Sequence, residues 1–258
     1  MSLSAFSLKG KIIFVTGSSR GLGWAMAQAC AQAGATAILH GRSEPALKKR
    51  CEELNTQGLK SDYLCFDVED RDALEKAIPT ILKRHGGIWG LINNVGCTKH
   101  AHLFDAEVVD YEFLLKIHLL TPMILTKAAA QLMRNNEGSD KGRILNIGSI
   151  VVTSPRAGIG NYVAAKNAII GFTRSMSTDL GEYGIRCNAI SPGYFMTDMT
   201  GKLQDDHEFS KRIVQRTPAQ RWGDPKELGG PAVFLMSEAS SYVNGQNLYV
   251  DGGMSHTL

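Results

Sequence analysis

Cysteine is scarce in this sequence of 258 residues, and no two cysteines form a C-x-x-C pair. The five cysteines are odd in number and scattered along the chain, at Cys30, Cys51, Cys65, Cys97 and Cys187. This distribution is typical of reduced, packed thiols rather than of disulfides or zinc ligands. We therefore expect a cytoplasmic protein that holds no metal.

Long apolar runs and clusters of basic residues are also missing. No stretch comes near the roughly 18 uninterrupted apolar residues that a membrane-spanning helix needs. The N-terminal segment lacks the apolar core of a secretory signal. The net charge is only +3 and is dispersed, which does not favour nucleic-acid binding. With 43% hydrophobic and 21% charged residues, the composition predicts a soluble globular protein without a membrane or nucleic-acid partner.

Short β-branched runs alternate with longer helical patterns along the whole chain. Because this alternation is typical of a parallel sheet covered by helices, we expect one α/β domain over residues 1–258. The predicted strands are Lys11–Thr16, Thr36–His40, Ser61–Phe66, Gly90–Asn93, Gly142–Ile147, Arg186–Ser191 and Asn247–Val250. The predicted helices are Gly21–Ala33, Glu44–Gln57, Arg71–His85, Val108–Arg134, Asn161–Glu182 and Pro225–Ser237.

The alternation is interrupted between Phe195 and Arg221, where several charges and Pro218 occur. An irregular insertion beyond the carboxyl end of a strand is where a substrate lid would lie. We expect residues 195–221 to form such a lid.

A glycine-rich segment joins the first predicted strand to the first predicted helix. It has the spacing G-x3-G-x-G in Thr16-Gly17-Ser18-Ser19-Arg20-Gly21-Leu22-Gly23. Glycines allow a tight turn and close backbone approach, and a helix N-terminus offers free amides to a pyrophosphate. The segment predicts a nucleotide site, and a glycine-rich turn without a ligand is the alternative.

The end of the second strand bears on the choice of cofactor. A carboxylate there would bind the ribose hydroxyls of NAD and repel a 2′-phosphate. This chain has His40-Gly41-Arg42-Ser43 instead, and the guanidinium of Arg42 suits bidentate phosphate binding. Arg20 would add a second positive charge on the same side. These residues favour NADP over NAD, and the alternative is that both arginines are solvated surface residues.

Two further strand ends offer contacts to a nucleotide. Asp67 follows the third strand, where it is either an acceptor for an adenine amino group or a helix cap. Asn93-Asn94-Val95-Gly96 ends the fourth strand and brings amides and a glycine to the carboxyl edge of the sheet. In isolation this second segment would be only a turn.

The residues most informative about chemistry are Ser149, Tyr162 and Lys166. Tyrosine and lysine four apart on a helix lie on the same face. An ammonium beside a phenol favours the phenolate and lowers the phenol pKa, so that proton exchange becomes possible nearer neutrality. Ser149, at the end of a strand, would hydrogen-bond the oxygen whose charge changes. Alone, the Tyr-x3-Lys pair is also common on solvated helix faces.

Several motifs occur in the order found in the short-chain dehydrogenase/reductase family, which the sequence resembles over essentially its whole length. They are Thr16-Gly17-x3-Gly21-x-Gly23, Asn93-Asn94-x-Gly96, Ser149, Tyr162-x3-Lys166, Pro192-Gly193-x3-Thr197 and Val250-Asp251-Gly252-Gly253. The resemblance implies a doubly wound, seven-stranded Rossmann fold and NAD(P)-dependent oxidoreductase activity on CH–OH groups. It also implies an assembly that is often a homotetramer.

The resemblance implies roles for individual residues. Tyr162 would be the acid/base, Ser149 the donor to the substrate oxygen, and Lys166 a ribose ligand that also modulates Tyr162. Further cofactor contacts would come from Gly17, Ser19, Arg20, Gly21, Leu22, Gly23, Arg42, Asp67, Val68, Asn94, Gly96, Pro192, Gly193 and Thr197, the last three bordering the nicotinamide.

Within the family, residues 193–200 and 216–225 are similar to the gluconate 5-dehydrogenase (5-ketogluconate reductase) subgroup. Arg156 matches an arginine of that subgroup and would bind the carboxylate of a sugar acid beside Ser149 and Tyr162. A surface charge on a loop is the alternative. Lys99 and His100 lie where the subgroup tends to carry two arginines, so positive charge is partly kept while bidentate geometry is lost.

His118 stands where the family usually has an asparagine, which is thought to hold a water that links the lysine to bulk solvent. Histidine donates, accepts and titrates near neutrality. His118 therefore either supports a proton relay as a catalytic residue or packs within a helix.

Together these features predict an NADP-dependent enzyme that interconverts a secondary alcohol and a ketone, most plausibly on a small-molecule sugar acid. A 3-oxoacyl-thioester reductase uses the same core residues and is the first alternative. A catalytically silent nucleotide-binding scaffold is the second, and loss of Tyr162 or Lys166 would have been its signature.

Overall fold

The chain folds around one parallel sheet of seven strands. The structure, a computed structural model, describes residues 3–257. The strands are β1 Ile12–Val15, β2 Thr36–Gly41, β3 Ser61–Cys65, β4 Gly90–Asn93, β5 Gly142–Ile147, β6 Ile185–Pro192 and β7 Asn247–Val250. They lie in the order β3-β2-β1-β4-β5-β6-β7, and every neighbouring pair is parallel. The predicted Rossmann fold class is confirmed, and no strand boundary differs from the prediction by more than one residue.

Helices cover both faces of this sheet. They are α1 Gly21–Gln32, α2 Glu44–Asn55, α3 Arg71–His85, α4 Val108–Leu115, α5 Thr121–Met133, α6 Gly160–Gly181, α7 Gly201–Asp205, α8 His207–Arg216 and α9 Gly229–Met236. Along β1, Ile13 and Val15 pack into one core cluster and Phe14 packs into the other. Because successive side chains of a strand point to opposite faces, a strand buried on both sides reads as a continuous apolar run.

From β1 the chain adds β2 and β3 on one side of the sheet and then β4 to β7 on the other side. This switch point between β1 and β4 opens a crevice at their carboxyl ends. Thr16, after β1, ties the two loops at this crevice together. Its Oγ1 accepts from the amides of Asn94 and Val95 at 2.9 and 3.1 Å. The Asn94 side chain donates to the carbonyls of Thr16 and Gly17 at 2.9 and 3.0 Å. The fold thus brings the glycine-rich segment against the end of β4.

The predicted helix Val108–Arg134 is continuous, but its middle is a π-helix rather than an α-helix. Residues Lys116–Leu120 form a π-helix between α4 and α5, and this segment contains His118. Single π turns inside α-helices are frequent at functional sites. The stretch Val108–Met133 is long and apolar enough to cross a bilayer by composition, yet half of its most apolar window is buried inside the protein, as in a core helix.

Residues 195–221 were expected to be irregular, but they contain helices α7 and α8. The lid role of this segment stays a prediction. Asp206 begins α8 by accepting a hydrogen bond from the Phe209 amide at 3.0 Å. The predicted helix Pro225–Ser237 is likewise divided, into a 3₁₀ turn over Pro225–Leu228 and then α9. Asp224 and Glu227 form a capping box at that turn, a local signal of a helix start.

Candidate active site

Ser149, Tyr162 and Lys166 meet at the carboxyl edge of the sheet. Ser149 follows β5, and the other two residues lie one turn apart on α6. The Lys166 ammonium donates a hydrogen bond to the Ile147 carbonyl at 2.6 Å and lies 5.7 Å from the centre of the Tyr162 ring. The lysine is therefore anchored to the strand that carries the serine.

The electrostatics of this trio differ from the sequence-based expectation. Burial raises the pKa of Tyr162 to about 12, while a hydrogen bond with Ser149 acts in the opposite direction. Burial also lowers the pKa of Lys166 to about 7. For the protein's own groups, without a cofactor, the predicted lowering of the tyrosine pKa was wrong. Desolvation of the phenol raises the pKa more than the hydrogen bond with Ser149 lowers it. At neutral pH Tyr162 therefore holds its proton, and burial disfavours the charged form of Lys166.

His118 packs directly against Tyr162. Its ring meets the tyrosine ring edge-on with centroids 5.3 Å apart, and its Nε2 lies 2.8 Å from the Cys97 carbonyl. Burial and the nearby Lys166 charge lower the pKa of His118 to about 3. A neutral ring that donates from Nε2 has an acceptor at Nδ1, and within residues 3–257 this buried atom has no hydrogen-bond partner. His118 is thus both packed in a helix and in contact with Tyr162.

The glycine-rich segment has the shape of a nucleotide cradle. Gly17 and Gly21 adopt φ values of +63° and +57°, in the left-handed region that other residues disfavour. A Cβ at Gly23 would lie 2.3 Å from the Gly17 carbonyl oxygen, so only glycine allows α1 to begin this close to the loop. These residues fit a dinucleotide whose pyrophosphate lies at the helix N-terminus.

His40 is a residue of this cradle that the sequence reasoning did not identify. Its Nδ1 accepts from the Gly17 amide at 3.1 Å, and its backbone exchanges two hydrogen bonds with Ser18, at 2.8 and 2.9 Å. The ring lies between Phe14 and Phe66, and burial lowers its pKa to about 4. Its position at the end of β2, beside the glycine loop in a doubly wound fold, was the available signal.

The two arginines predicted to select NADP have different surroundings. Arg42 pairs with Asp67 at 3.4 Å, and 74% of its side chain is exposed at the end of β2. Asp67 also accepts from the Glu69 amide at 3.0 Å. Arg20 precedes α1 and pairs with Asp198, within residues 195–221, at 3.3 Å. Arg20 therefore connects the glycine loop to the segment 195–221, whereas Arg42 stands at the edge where a 2′-phosphate would lie.

The remaining cofactor candidates lie around the same crevice. A Cβ at Gly21 would lie 3.7 Å from Thr197, and one at Gly193 would lie 2.7 Å from the Asp251 Cα. A Cβ at Gly96 would lie 2.6 Å from the His118 ring. The Ser19 carbonyl accepts a hydrogen bond from the Arg50 side chain at 3.1 Å, and Leu22 packs against a core cluster. Val68 is buried, and Pro192 is the last residue of β6.

A cavity of about 180 Å³ is lined by Ile150, the residue that follows Ser149 in the chain, and by Tyr194. Arg156 lines it, as do Arg212 and Arg216 of α8. Arg216 belongs to the segment 216–225 that resembles the subgroup, whereas the sequence analysis did not single out Arg212. A nitrogen of Arg156 lies 3.5 Å from Nδ1 of His100. Lys99, in contrast, is paired with Asp110, so its charge is already balanced by the protein. Among residues 3–257, no group of three or more His, Cys, Asp or Glu is placed to hold a metal ion.

Comparison with known proteins places this site in a family. A family model described as "Enoyl-(Acyl carrier protein) reductase" matches residues 17–255. The gluconate 5-dehydrogenase of Gluconobacter oxydans is 40% identical over 253 residues, covering 98% of each chain. The 2-dehydro-3-deoxy-D-gluconate 5-dehydrogenase of Formosa agariphila is 39% identical, covering 100% of this chain and 97% of the relative.

A solved structure agrees with these relatives over the full length. The crystal structure of a gluconate 5-dehydrogenase from Burkholderia cenocepacia, in complex with NADP and tartrate, superposes with a TM-score of 0.95 at 36% identity and covers 100% of both chains. With the serine, tyrosine and lysine assembled beside a glycine cradle on this sheet, the chain belongs to the short-chain dehydrogenase/reductase family.

Proposed function

We propose that the protein is an NADP-dependent oxidoreductase that interconverts a secondary alcohol and a ketone on a sugar acid of the gluconate/5-ketogluconate type. The observation that carries this proposal is that Lys166 lies beside the Tyr162 ring and is anchored on the strand that leads to Ser149, at the carboxyl edge of the sheet where the glycine-rich segment also lies. An arginine-lined cavity includes Ile150, the residue that follows Ser149 in the chain. The names of the relatives above agree with a sugar acid as substrate.

The chain's own groups manage the proton and the substrate oxygen. In reduction, the protonated Tyr162 donates to the carbonyl oxygen, and in oxidation its phenolate accepts the proton of the hydroxyl. Ser149 hydrogen-bonds the same oxygen and stabilises the charge that develops there. Lys166 is held by its hydrogen bond to the Ile147 carbonyl. When Lys166 is protonated, its positive charge stabilises the phenolate. The nicotinamide supplies the hydride when it is bound.

The cofactor would be held by elements already in place. Gly17, Gly21 and Gly23 let the pyrophosphate approach the N-terminus of α1. Arg42 would bind the 2′-phosphate, which makes NADP the preferred cofactor over NAD. The Burkholderia cenocepacia enzyme, crystallised with NADP, supports this choice.

His118 would act on the reaction through Tyr162. It holds the tyrosine ring by an edge-on contact and fixes the loop after β4 through the Cys97 carbonyl. Its buried Nδ1 lies in the neighbourhood of Lys166, whose charge lowers the histidine pKa. We assign His118 a positioning role. Its Nδ1 would also accept a hydrogen bond from a group that passes a proton along the relay.

A 3-oxoacyl-thioester reductase is less compatible with the substrate side. Ligand pockets for drug-sized molecules occupy roughly 300–1,000 Å³, whereas the cavity here measures about 180 Å³ and is lined by three arginines. A small, charged substrate suits this space better than an acyl chain does.

The test follows NADPH oxidation with 5-ketogluconate, an acetoacetyl thioester and simple ketones, with Tyr162→Phe as the inactive control. We expect 5-ketogluconate to be preferred. A preference for the thioester would overturn the sugar-acid assignment, and NADPH binding without turnover of any carbonyl would overturn the enzyme assignment. The same panel run with NADH tests the cofactor.

The assembly we propose is a cytoplasmic homotetramer. Along α4, the π-helix and α5 the chain exposes apolar side chains at Val108, Val109, Leu115, Leu120 and Met123. Such a face on a helix that is half buried is suited to packing against a second copy. Sedimentation analysis should give about four times the chain mass of 28.0 kDa, and a monomer would contradict the proposal.

A further inference from the structure

Three arginines from two separate elements line the cavity beside the catalytic residues. Arg156 lies in the loop after β5, and Arg212 and Arg216 lie on α8. Residues four apart on a helix share a face, so α8 presents two guanidiniums to the same space. Ile150 lines this cavity and follows Ser149 in the chain, and Tyr162 packs against the same apolar cluster as Ile150 and Tyr194. A group bound in the cavity would therefore lie near the proposed catalytic residues.

The protein does not neutralise the charge of this cavity. None of the residues that line it is acidic, and within residues 3–257 none of the three guanidiniums takes part in an ion pair. Like charges gathered in a partly enclosed space repel each other and favour an anion. The cavity therefore has the electrostatics of an anion site.

An aromatic ring contacts two of these guanidiniums. The Phe209 ring lies 5.7 Å from Cζ of Arg156 and 5.8 Å from Cζ of Arg212, so one ring contacts arginines from both elements. Phe209 also packs edge-on against Tyr194 at 5.8 Å, and Tyr194 packs edge-on against Trp222 at 5.5 Å. This row of rings fastens α8 to the wall of the cavity.

From this geometry we propose that Arg212 and Arg216 of α8, together with Arg156, bind the carboxylate of the substrate and select acids over neutral ketones. The assignment rests on the function proposed above and identifies the part of the lid that recognises the negative charge. Planar guanidiniums match a carboxylate in a bidentate manner, which a lysine cannot do. A phosphate group offers the same oxyanion chemistry, and the experiment separates the two sources.

The test compares Arg212→Gln and Arg216→Gln with Lys211→Gln, which removes the same charge from a neighbouring α8 residue outside the cavity. Substrates are 5-ketogluconate, its neutral amide and fructose 6-phosphate. We expect each arginine variant to raise the KM for the acid by roughly tenfold or more, with kcat and the kcat/KM for the amide little changed. Lys211→Gln should match the wild type, and fructose 6-phosphate should remain the poorer substrate.

Equal loss of activity toward the acid and the amide would overturn the assignment. An unchanged KM for the acid in the double variant, which combines Arg212→Gln and Arg216→Gln, would overturn it as well. A preference for fructose 6-phosphate would replace the carboxylate by a phosphate. Calorimetry with tartrate, in the presence of NADPH, gives a readout that needs no turnover. Tartrate should bind the wild type more tightly than the double variant, and equal binding would overturn the anion site even if no carbonyl substrate were reduced. An unchanged Kd for NADPH shows that the variants are folded.

Discussion

The imidazole of His40 accepts a hydrogen bond from the amide of Gly17 at 3.1 Å. This contact joins the end of β2 to the first glycine of the nucleotide cradle. Gly17 has a positive φ, so its conformation depends on the contacts that hold the loop. Because His40 is buried between Phe14 and Phe66, it braces the loop from inside the protein rather than from the side that would face a nucleotide.

Replacing His40 by phenylalanine should weaken cofactor binding. The ring would keep the aromatic contacts but lose the acceptor, which leaves the partly buried Gly17 amide without its partner. A loss of about 1.4 kcal/mol corresponds to a tenfold rise in the Kd for NADPH, measurable by fluorescence titration. Circular dichroism controls for folding. An unchanged Kd in a folded variant would show that the cradle does not need this brace.

Tyr162→Phe should abolish turnover while leaving NADPH binding intact. Removing the hydroxyl removes the proton donor, and general acid–base catalysis contributes roughly 100- to 10,000-fold to the rate. Ser149→Ala should lower kcat by roughly 100-fold or more, because it removes a donor to the developing charge. Initial rates with 5-ketogluconate measure both effects. Substantial turnover by Tyr162→Phe would mean that another group carries the proton.

Arg42→Gln should reduce the preference for NADPH over NADH. A charged hydrogen bond to a phosphate contributes about 1.5–3 kcal/mol, so the kcat/KM for NADPH should fall by roughly 10- to 100-fold. The value for NADH should stay nearly constant, since NADH has no 2′-phosphate. Arg71→Gln is the matched control, because Arg71 is an exposed arginine on α3 that pairs with Glu75. Equal losses for both cofactors would indicate a general structural effect.

Buried histidines should make the protein sensitive to acid. The pKa of His40 falls from 6.5 to about 4, so the unfolded state takes up a proton first as the pH decreases. The stability is therefore fully present above pH 6.5 and is lost as the pH falls toward 4, by an amount on the order of 3 kcal/mol when complete. His118, whose pKa is about 3, acts in the same direction.

The measurement is the free energy of unfolding in urea at pH 7.5 and at pH 4.5. His40→Phe should lose less stability between these two values than the wild type does, because the variant lacks one titrating group. Carboxylates titrate alike in both proteins and cancel in the comparison. Identical losses would show that His40 takes no part in acid unfolding.

Much of the fold was predictable from local patterns. The apolar run Ile12–Val15 and the glycines that follow it specify a buried strand, a tight turn and a helix start over a few residues. The same holds for Tyr162 and Lys166, since a spacing of four places them on one face of any helix. These features depend on backbone geometry and short-range periodicity, which the sequence carries by itself.

Other properties depended on the tertiary structure. The tyrosine pKa rises rather than falls because burial in the folded protein disfavours the phenolate. Arg212 and Arg216 line the cavity only because residues 207–216 fold into helix α8, whose Phe209 packs against Tyr194. His40 braces Gly17 only because β2 lies beside β1. Desolvation and the convergence of distant segments are set by packing between elements. The sequence by itself therefore determined which chemical groups are present, and the tertiary structure decided their electrostatics and which arginines line the cavity.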